Sequence, residues 1–375
     1  MTAVAQAFDM AIRHYQSGKL HQAEQICRQV LRSEPWHVNA LRLLGLIALQ
    51  AQDNDLARDC LSKAVQVAPD DADSHNNLAI ALREQGKLKE AIASLRECIR
   101  LAPEFAEGHN NLGTVLRNQG RLPEAEESVR QALRLKPNYA DAYYNLGMSL
   151  FGQRRLDEAR ECYEQALCLK PDFTSAQIAI VKLLHAKNEF AKALALCRDI
   201  VLREPGNAEA HNSLGYILYE QGSLAEAVAS YQEALRLQPA NLRFQQAQDN
   251  LRIALIAQGQ LAEAQENACL ALEIDPKHAR AHYDQAHVWL LQGEFAQGWP
   301  EYEWRWRLPI LPPRTFPQPL WRGEPLNGRT ILLHAEQGLG DTIQFVRFVP
   351  QVKACGGSVL LECQPALFGL LKEFP

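Results

Sequence analysis

Three asparagines, Asn77, Asn111 and Asn145, recur at intervals of 34 residues, and the position then lapses to Ala179 and Ser213. A carboxamide carries both donors and an acceptor, so a row of them can hold the main chain of an extended peptide whatever its sequence. Asn76, Asn110, Thr114, Arg117 and Asn118 stand close by and are expected to line the same polar groove. A second candidate lies at Gly338, Gly340 and Asp341. The two glycines are expected to make a tight turn after an apolar run. The start of the helix expected to follow presents free N–H groups that favour an anion. Asp341 is also placed to cap that helix. As a dinucleotide fingerprint the turn is weak, because Ile343 replaces the third glycine, although Glu362 ends the next apolar run.

Composition limits what these residues can serve. The 375 residues are 47% apolar and 22% charged, the balance of an ordinary soluble protein. Lys and Arg number 39 against 44 Asp and Glu, a net charge of −5. Non-specific nucleic-acid binding needs surplus cations to displace counterions, so no nucleic-acid partner is expected. No apolar run is long enough to span a membrane. The first 20 residues read as an amphipathic helix, not a signal peptide. Nine scattered cysteines without a CxxC pair argue against a disulfide framework and against a metal site. A reducing cytoplasm is the expected location.

The asparagines must be positioned by a repeating element. Prolines fall every 34 residues from Pro35 to Pro239, and Pro276 follows after 37, which places an insertion near 242–244. An alanine precedes each of these prolines by twelve residues, from Ala23 to Ala264. Gly18, Gly86, Gly120, Gly222, Gly259 and Gly293 mark another fixed phase. This is the tetratricopeptide (TPR) pattern, two helices per repeat. In the repeat 106–139, Gly113 should allow close helix approach and Gly120 should end the first helix. Pro123 should sit in the first turn of the second helix, with Ala125, Val129 and Ala132 as its inner stripe. Eight repeats are expected at 4–37, 38–71, 72–105, 106–139, 140–173, 174–207, 208–241 and 245–278. A degenerate ninth runs from 279 to about 308. Neighbours share one core, which predicts an all-α superhelical solenoid, right-handed, over residues 1–308. Cys27, Cys98 and Cys197 fall on the buried stripe of second helices.

In TPR solenoids the first helices line the concave face. HNNLA (75–79), HNNLG (109–113) and YYNLG (143–147) resemble the TPR arm of O-GlcNAc transferases, whose asparagines form a ladder along that face. The resemblance implies a protein or peptide partner in the groove. TPR domains that clamp a chaperone's C-terminal carboxylate use cations at particular first-helix positions. The corresponding second position reads Asn39, Asp73, Glu107, Asp141, Ser175 and Glu209, so that partner class is rejected.

After residue 288 the composition changes. Five of the six tryptophans lie between Trp289 and Trp321, and six prolines between Pro309 and Pro325. The segment 309–329 cannot be helical and is expected to be an ordered strap. WPEYEWRWR (299–307) mixes aromatic rings with charges. A nucleic-acid stacking patch is the sharper reading and an interdomain interface the favoured one. Residues 330–375 then read β-α-β-α, with strands at 330–335 and 358–363 and one helix over 342–357. Two parallel strands do not make a stable domain, so the remainder of an α/β domain is expected to be missing.

AEQGLGDTIQFVRFVP (335–350) resembles the opening of bacterial TPR-linked glycosyltransferase-like proteins, related to the ADP-heptose glycosyltransferases, which have the GT-B fold. That resemblance implies a nucleotide sugar as cosubstrate of a complete parent. It implies Asp341 as the general base toward an acceptor hydroxyl, matched with Gly340. The nucleotide-sugar half and the His-bearing motif of O-GlcNAc transferases have no counterpart, so this chain alone is expected to be inactive and to hold no cofactor. The expected function is a TPR arm that presents an acceptor to a glycosyltransferase-like domain. A pure interaction scaffold is the alternative.

Overall fold

The computed structural model describes residues 3–238, 245–308, 316–336 and 338–372. Pro239, the insertion near 242–244, the first part of the strap and Gln337 lie outside the described residues. The chain divides into two compact units, Met1–Arg305 and Trp306–Pro375.

The first unit is a succession of antiparallel helix pairs, one per repeat, as the 34-residue period implies. The fourth repeat shows how sequence fixes the pair. Its helices run Ala106–Asn118 and Leu122–Leu135, with Pro123 in the first turn of the second. Gly120 adopts φ 77°, the left-handed conformation that ends the first helix, and its N–H reaches the Arg117 carbonyl at 2.9 Å. Three repeats lack that glycine, and Gln52, Arg154 and Asn188 take the same conformation at φ 61°, 63° and 60°. The turn is therefore set by packing of the pair and not by glycine alone.

Within each pair the eighth and twenty-fourth residues of the repeat face one another, and their sizes are matched. A Cβ on Gly113 would lie 2.3 Å from Val129 Cγ2, and one on Gly147 would lie 2.5 Å from the Tyr163 ring. Gly45 and Gly215 stand against Leu61 and Tyr231 in the same way. In the eighth repeat the sizes invert: Arg252 occupies the glycine position, Ala268 faces it, and both are fully buried.

Repeats are joined by recurring contacts. His75, His109, His211 and His282 each place Nε2 3.0 Å from the carbonyl of the proline in the preceding loop. Successive first helices touch one another from the first repeat to the ninth, and among the described residues no pair of successive second helices packs as closely. The row of first helices is thus the inner side of the curve. Cys27, Cys98 and Cys197 lie in the buried core, as the register predicts.

The end of the array is built differently from the other repeats. The ninth repeat pairs Ala279–Gln292 with the short helix Phe295–Tyr302 and a 3-10 turn, Glu303–Arg307. Trp304 stacks on His282 at 3.7 Å, and His282 Nδ1 lies 2.5 Å from Glu301. Tyr302 packs on Tyr283 and His287, with Arg305 over its ring. These aromatic groups close onto the last long helix of their own unit. Residues 299–305 of WPEYEWRWR thus take part in the packing of the ninth repeat.

In the second unit β1 (Thr330–His334) pairs in parallel with β2 (Ser358–Glu362), Thr330 opposite Ser358 and His334 opposite Glu362. The connection is not the single helix expected over 342–357. It begins earlier, at Leu339–Phe345, passes through a 3-10 turn at Val346–Phe348 and resumes at Val349–Lys353. Pro350 causes the break, since its ring clashes with the carbonyl four residues back and it has no N–H to donate. Leu332, Leu360, Leu361, Phe345 and Phe348 remain exposed. Among the described residues the two strands pair only with each other. Among them, too, no helix is long and apolar enough to cross a membrane.

Candidate functional site

The third, fourth and fifth repeats bring Asn77, Asn111 and Asn145 onto successive first helices, Ala72–Glu84, Ala106–Asn118 and Ala140–Gly152. All three are half-buried. Each is the sixth residue of its repeat. Asn111 Nδ2 donates to Asn76 Oδ1 of the repeat before at 2.8 Å, and Asn145 Nδ2 donates to Asn110 Oδ1 at 3.0 Å.

Asn76 and Asn110, the fifth residues, are therefore not part of the groove surface. They are buried, at 7% and 4% exposure, between adjacent first helices. Asn76 Nδ2 reaches Asn77 Oδ1 at 3.4 Å, and Asn110 Nδ2 reaches the Tyr139 hydroxyl at 3.4 Å. Thr114 bonds back to the Asn110 carbonyl. Arg117 is partly buried, close enough to Tyr163 to act on its phenol electrostatically, while Asn118 is exposed at the end of its helix. The polar face thus has an outer row and a buried row beneath it.

The acids of the second position are less free than their types suggest. Glu107 accepts from Lys136 at 2.8 Å, and that hydrogen bond holds its carboxyl below the usual range. Glu209 pairs with Lys182 at 2.8 Å, and Asp73 lies 3.5 Å from Arg42.

A charged cluster that sequence reasoning missed lies under the eighth and ninth repeats. Arg252 bonds to Asp249, to Asn267 at 3.1 Å and to Asp284 at 3.1 Å. Arg280 meets the other oxygen of Asp284 at 2.9 Å. Burial pushes the Asp284 carboxyl up, against the pull of Arg280 and Arg252. Aligning the repeats would have exposed this cluster, because an arginine stands where glycine or another small residue is the rule.

The second candidate is spread along the start of a seven-residue helix. Gly338 is its N-cap, with φ −56° and ψ 163°, and Gly340 lies inside it. Neither is among the residues of positive φ, so no tight glycine turn forms there. Asp341 is in the first turn and exposed, and it makes no side-chain cap. The capping role is thus corrected, because the helix begins three residues earlier than the turn implied. Thr342 Oγ1 contacts Gln364 at 2.9 Å and so ties the helix start to the segment after β2. Among the described residues no three His, Cys, Asp or Glu stand together to hold a metal ion.

Comparison with known proteins bears on the repeat array. Two family models described as tetratricopeptide repeat match residues 36–104, 110–174 and 178–241, together more than half of the chain. Protein FlbA of Caulobacter vibrioides is 32% identical over 76 residues, 20% of this chain and 13% of that protein. The UDP-N-acetylglucosamine–peptide N-acetylglucosaminyltransferase of Caenorhabditis elegans is 30% identical over 83 residues, 22% of this chain and 7% of that protein. The chain therefore spans only a small part of the curated relatives it matches. Among solved structures, a tetratricopeptide repeat protein from Parabacteroides merdae superposes with TM-score 0.59 at 16% identity, covering 67% of this chain and 98% of that one. The human IFIT1 dimer with PPP-AAAA gives TM-score 0.53 at 17% identity, covering 78% and 69%. At these identities the likeness is one of fold.

Proposed function

The chain is a tetratricopeptide repeat protein, and from that premise we propose that its inner face binds an extended, polar peptide through Asn77, Asn111 and Asn145. Repeats of this kind bind proteins or peptides on their concave surface. The observation that carries the reading is the row of three half-buried amides, one per repeat, whose hydrogen-bonding capacity is only partly used inside the chain. Adjacent helices pack about 8–10 Å apart, and a strand rises about 3.3 Å per residue. One asparagine therefore serves about three peptide residues. The test is fluorescence polarisation with a labelled Ser- and Gly-rich nonapeptide. Replacing the three asparagines by Ala should abolish binding and leave the helical signal intact. Unchanged binding by the triple variant sinks the reading.

We propose further that the bound peptide belongs to a glycosyl acceptor, and that residues 330–372 are the opening of a glycosyltransferase-like domain. Support comes from the β-α-β unit and from the exposed Asp341 at its helix start. Asp341 would take the proton of an acceptor hydroxyl as its oxygen attacks the anomeric carbon and the nucleotide diphosphate leaves. A two-stranded unit supplies at most the base toward the acceptor and not a complete donor site, so this chain alone should turn over no nucleotide sugar. Release of nucleotide diphosphate by the purified chain contradicts that expectation. A scaffold without catalysis is the second reading, favoured by the helical array making up most of the described chain. A location in the reducing cytoplasm is part of the proposal, supported by nine free cysteines.

A further inference from the structure

Asn111 and Asn145 are held from behind, and the hold is specific. Each donates one amide N–H to a buried acceptor on the preceding repeat, Asn76 Oδ1 or Asn110 Oδ1. A side-chain amide has two N–H donors and one carbonyl. The torsion that orients it is soft and roughly two-fold, so an unheld asparagine presents its oxygen and nitrogen interchangeably. Once one N–H is fixed inward, the second N–H and the carbonyl are left in a single order. That order matches the C=O and N–H of a peptide unit, and the two repeats present it the same way round.

The buried pairs are not a general requirement of the fold. At the next junctions the same two positions hold Tyr144 with Ala179 and Ile178 with Ser213, and the helices still pack there. Nor does Asn77 have such a partner. The fifth residue of the repeat before it is Arg42, whose guanidinium goes to Asp71, Asp73 and Asn39. Asn212 and Asn250 take the same two positions in the seventh and eighth repeats, yet Asn212 Oδ1 accepts no bond there, so among the described residues the bonded pairs stand behind Asn111 and Asn145.

We propose that Asn76 and Asn110 are positioning residues, which fix the amides of Asn111 and Asn145 in the one orientation able to bind a peptide main chain. The inference rests on the peptide-binding reading above. It makes Asn111 and Asn145 the stronger sites and Asn77 the weaker one, and it has the groove read peptide direction.

The test uses the full chain and the same labelled Ser- and Gly-rich nonapeptide. Asn76→Leu and Asn110→Leu remove the acceptor, whereas Asn76→Asp and Asn110→Asp keep it. Each Leu variant should bind about tenfold more weakly, the scale of one or two lost hydrogen bonds, and each Asp variant should bind within about twofold of wild type. Thermal unfolding followed by circular dichroism should not separate the Leu from the Asp variants. Asn77→Ala should cost less than Asn111→Ala. Leu variants that bind like wild type, with Asn111→Ala and Asn145→Ala still weak, overturn the positioning role alone. Equal losses in Leu and Asp variants also overturn it. A wild-type chain indifferent to the probe removes the peptide-binding reading and this inference with it.

Discussion

Asp284 stands to Asp249 as Asn111 stands to Asn76, on the sixth residue of one repeat and the fifth of the repeat before. Two carboxylates at those positions cannot clasp, and Arg252 bridges them from the fully buried side of its helix. The junction that is made by neutral amides in the middle of the array is made by an ion triad at its end.

Removing the bridge should therefore be costly. Arg252→Met takes the bridging cation from between the two carboxylates and leaves Arg280 on Asp284, a loss of about 3–5 kcal/mol for a broken buried pair. Adding Asp249→Asn and Asp284→Asn should recover most of that loss, because amides can clasp where acids cannot. Urea unfolding of the single and triple variants measures both effects. A single variant as stable as wild type refutes the assignment.

The two kinds of glycine should respond oppositely. Gly113→Ala drives a methyl into Val129 and should destabilise by about 1–3 kcal/mol, the usual cost of overpacking. Gly340 is helical and has nothing within 4 Å of its would-be Cβ. Gly340→Ala should be neutral or stabilising by up to about 1 kcal/mol. Thermal melts of the two variants decide, and Gly113→Ala should be partly rescued by Val129→Ala.

The thiols should separate into two classes. Burial pushes Cys27 and Cys197 up to about 12 and Cys98 up to about 11, so at pH 8 these three carry almost no thiolate. Cys168 and Cys269 are exposed. Ellman's reagent should titrate Cys168 and Cys269 quickly, and Cys27, Cys98 and Cys197 only after urea is added. Fast labelling of Cys197 in the folded chain would contradict the packing described.

Acid should loosen the junction between the fourth and fifth repeats. Burial raises the Glu126 carboxyl, but hydrogen bonds from Gln153 and Arg130 and the charge of Arg155 outweigh it and leave the group below its ordinary value. A carboxyl depressed in the folded state contributes stability above its unfolded value, about pH 4.3. That contribution is lost as pH falls through the lower, folded value. Glu126→Gln should flatten this part of the stability profile between about pH 5 and pH 3. Stability curves of wild type and variant that stay parallel across this range exclude the effect.

Much of the array was legible because its signals are steric and local. Gly120, Pro123 and Ala125 each answer a demand of the backbone within their own helix pair. The paired strands were legible as apolar runs. The connection between them was misread, because apolar spacing from Ile343 to Val352 suggested one helical face while Pro350 interrupts the backbone beneath it. The buried roles of Asn76 and Asn110 were illegible for a different reason. Which side chain of one first helix meets which of the next depends on how neighbouring repeats are stacked, and the period alone does not fix that. Asp341 was placed in a turn and stands instead in the first turn of a helix, because helix initiation moved to Leu339.

The matched pair formed by the eighth and twenty-fourth residues lies inside a single repeat, so each repeat carries its own lock and key. Gly147 with Tyr163, Val181 with Cys197 and Arg252 with Ala268 are three different solutions to one space. A crossover between genes of this kind can exchange whole repeats without disturbing any of them. A breakpoint between the two helices of a repeat would set Val181 against a tyrosine, or Arg252 against another bulky side chain. The unit of inheritance in such an array is the helix pair, and its permitted seams are the proline loops.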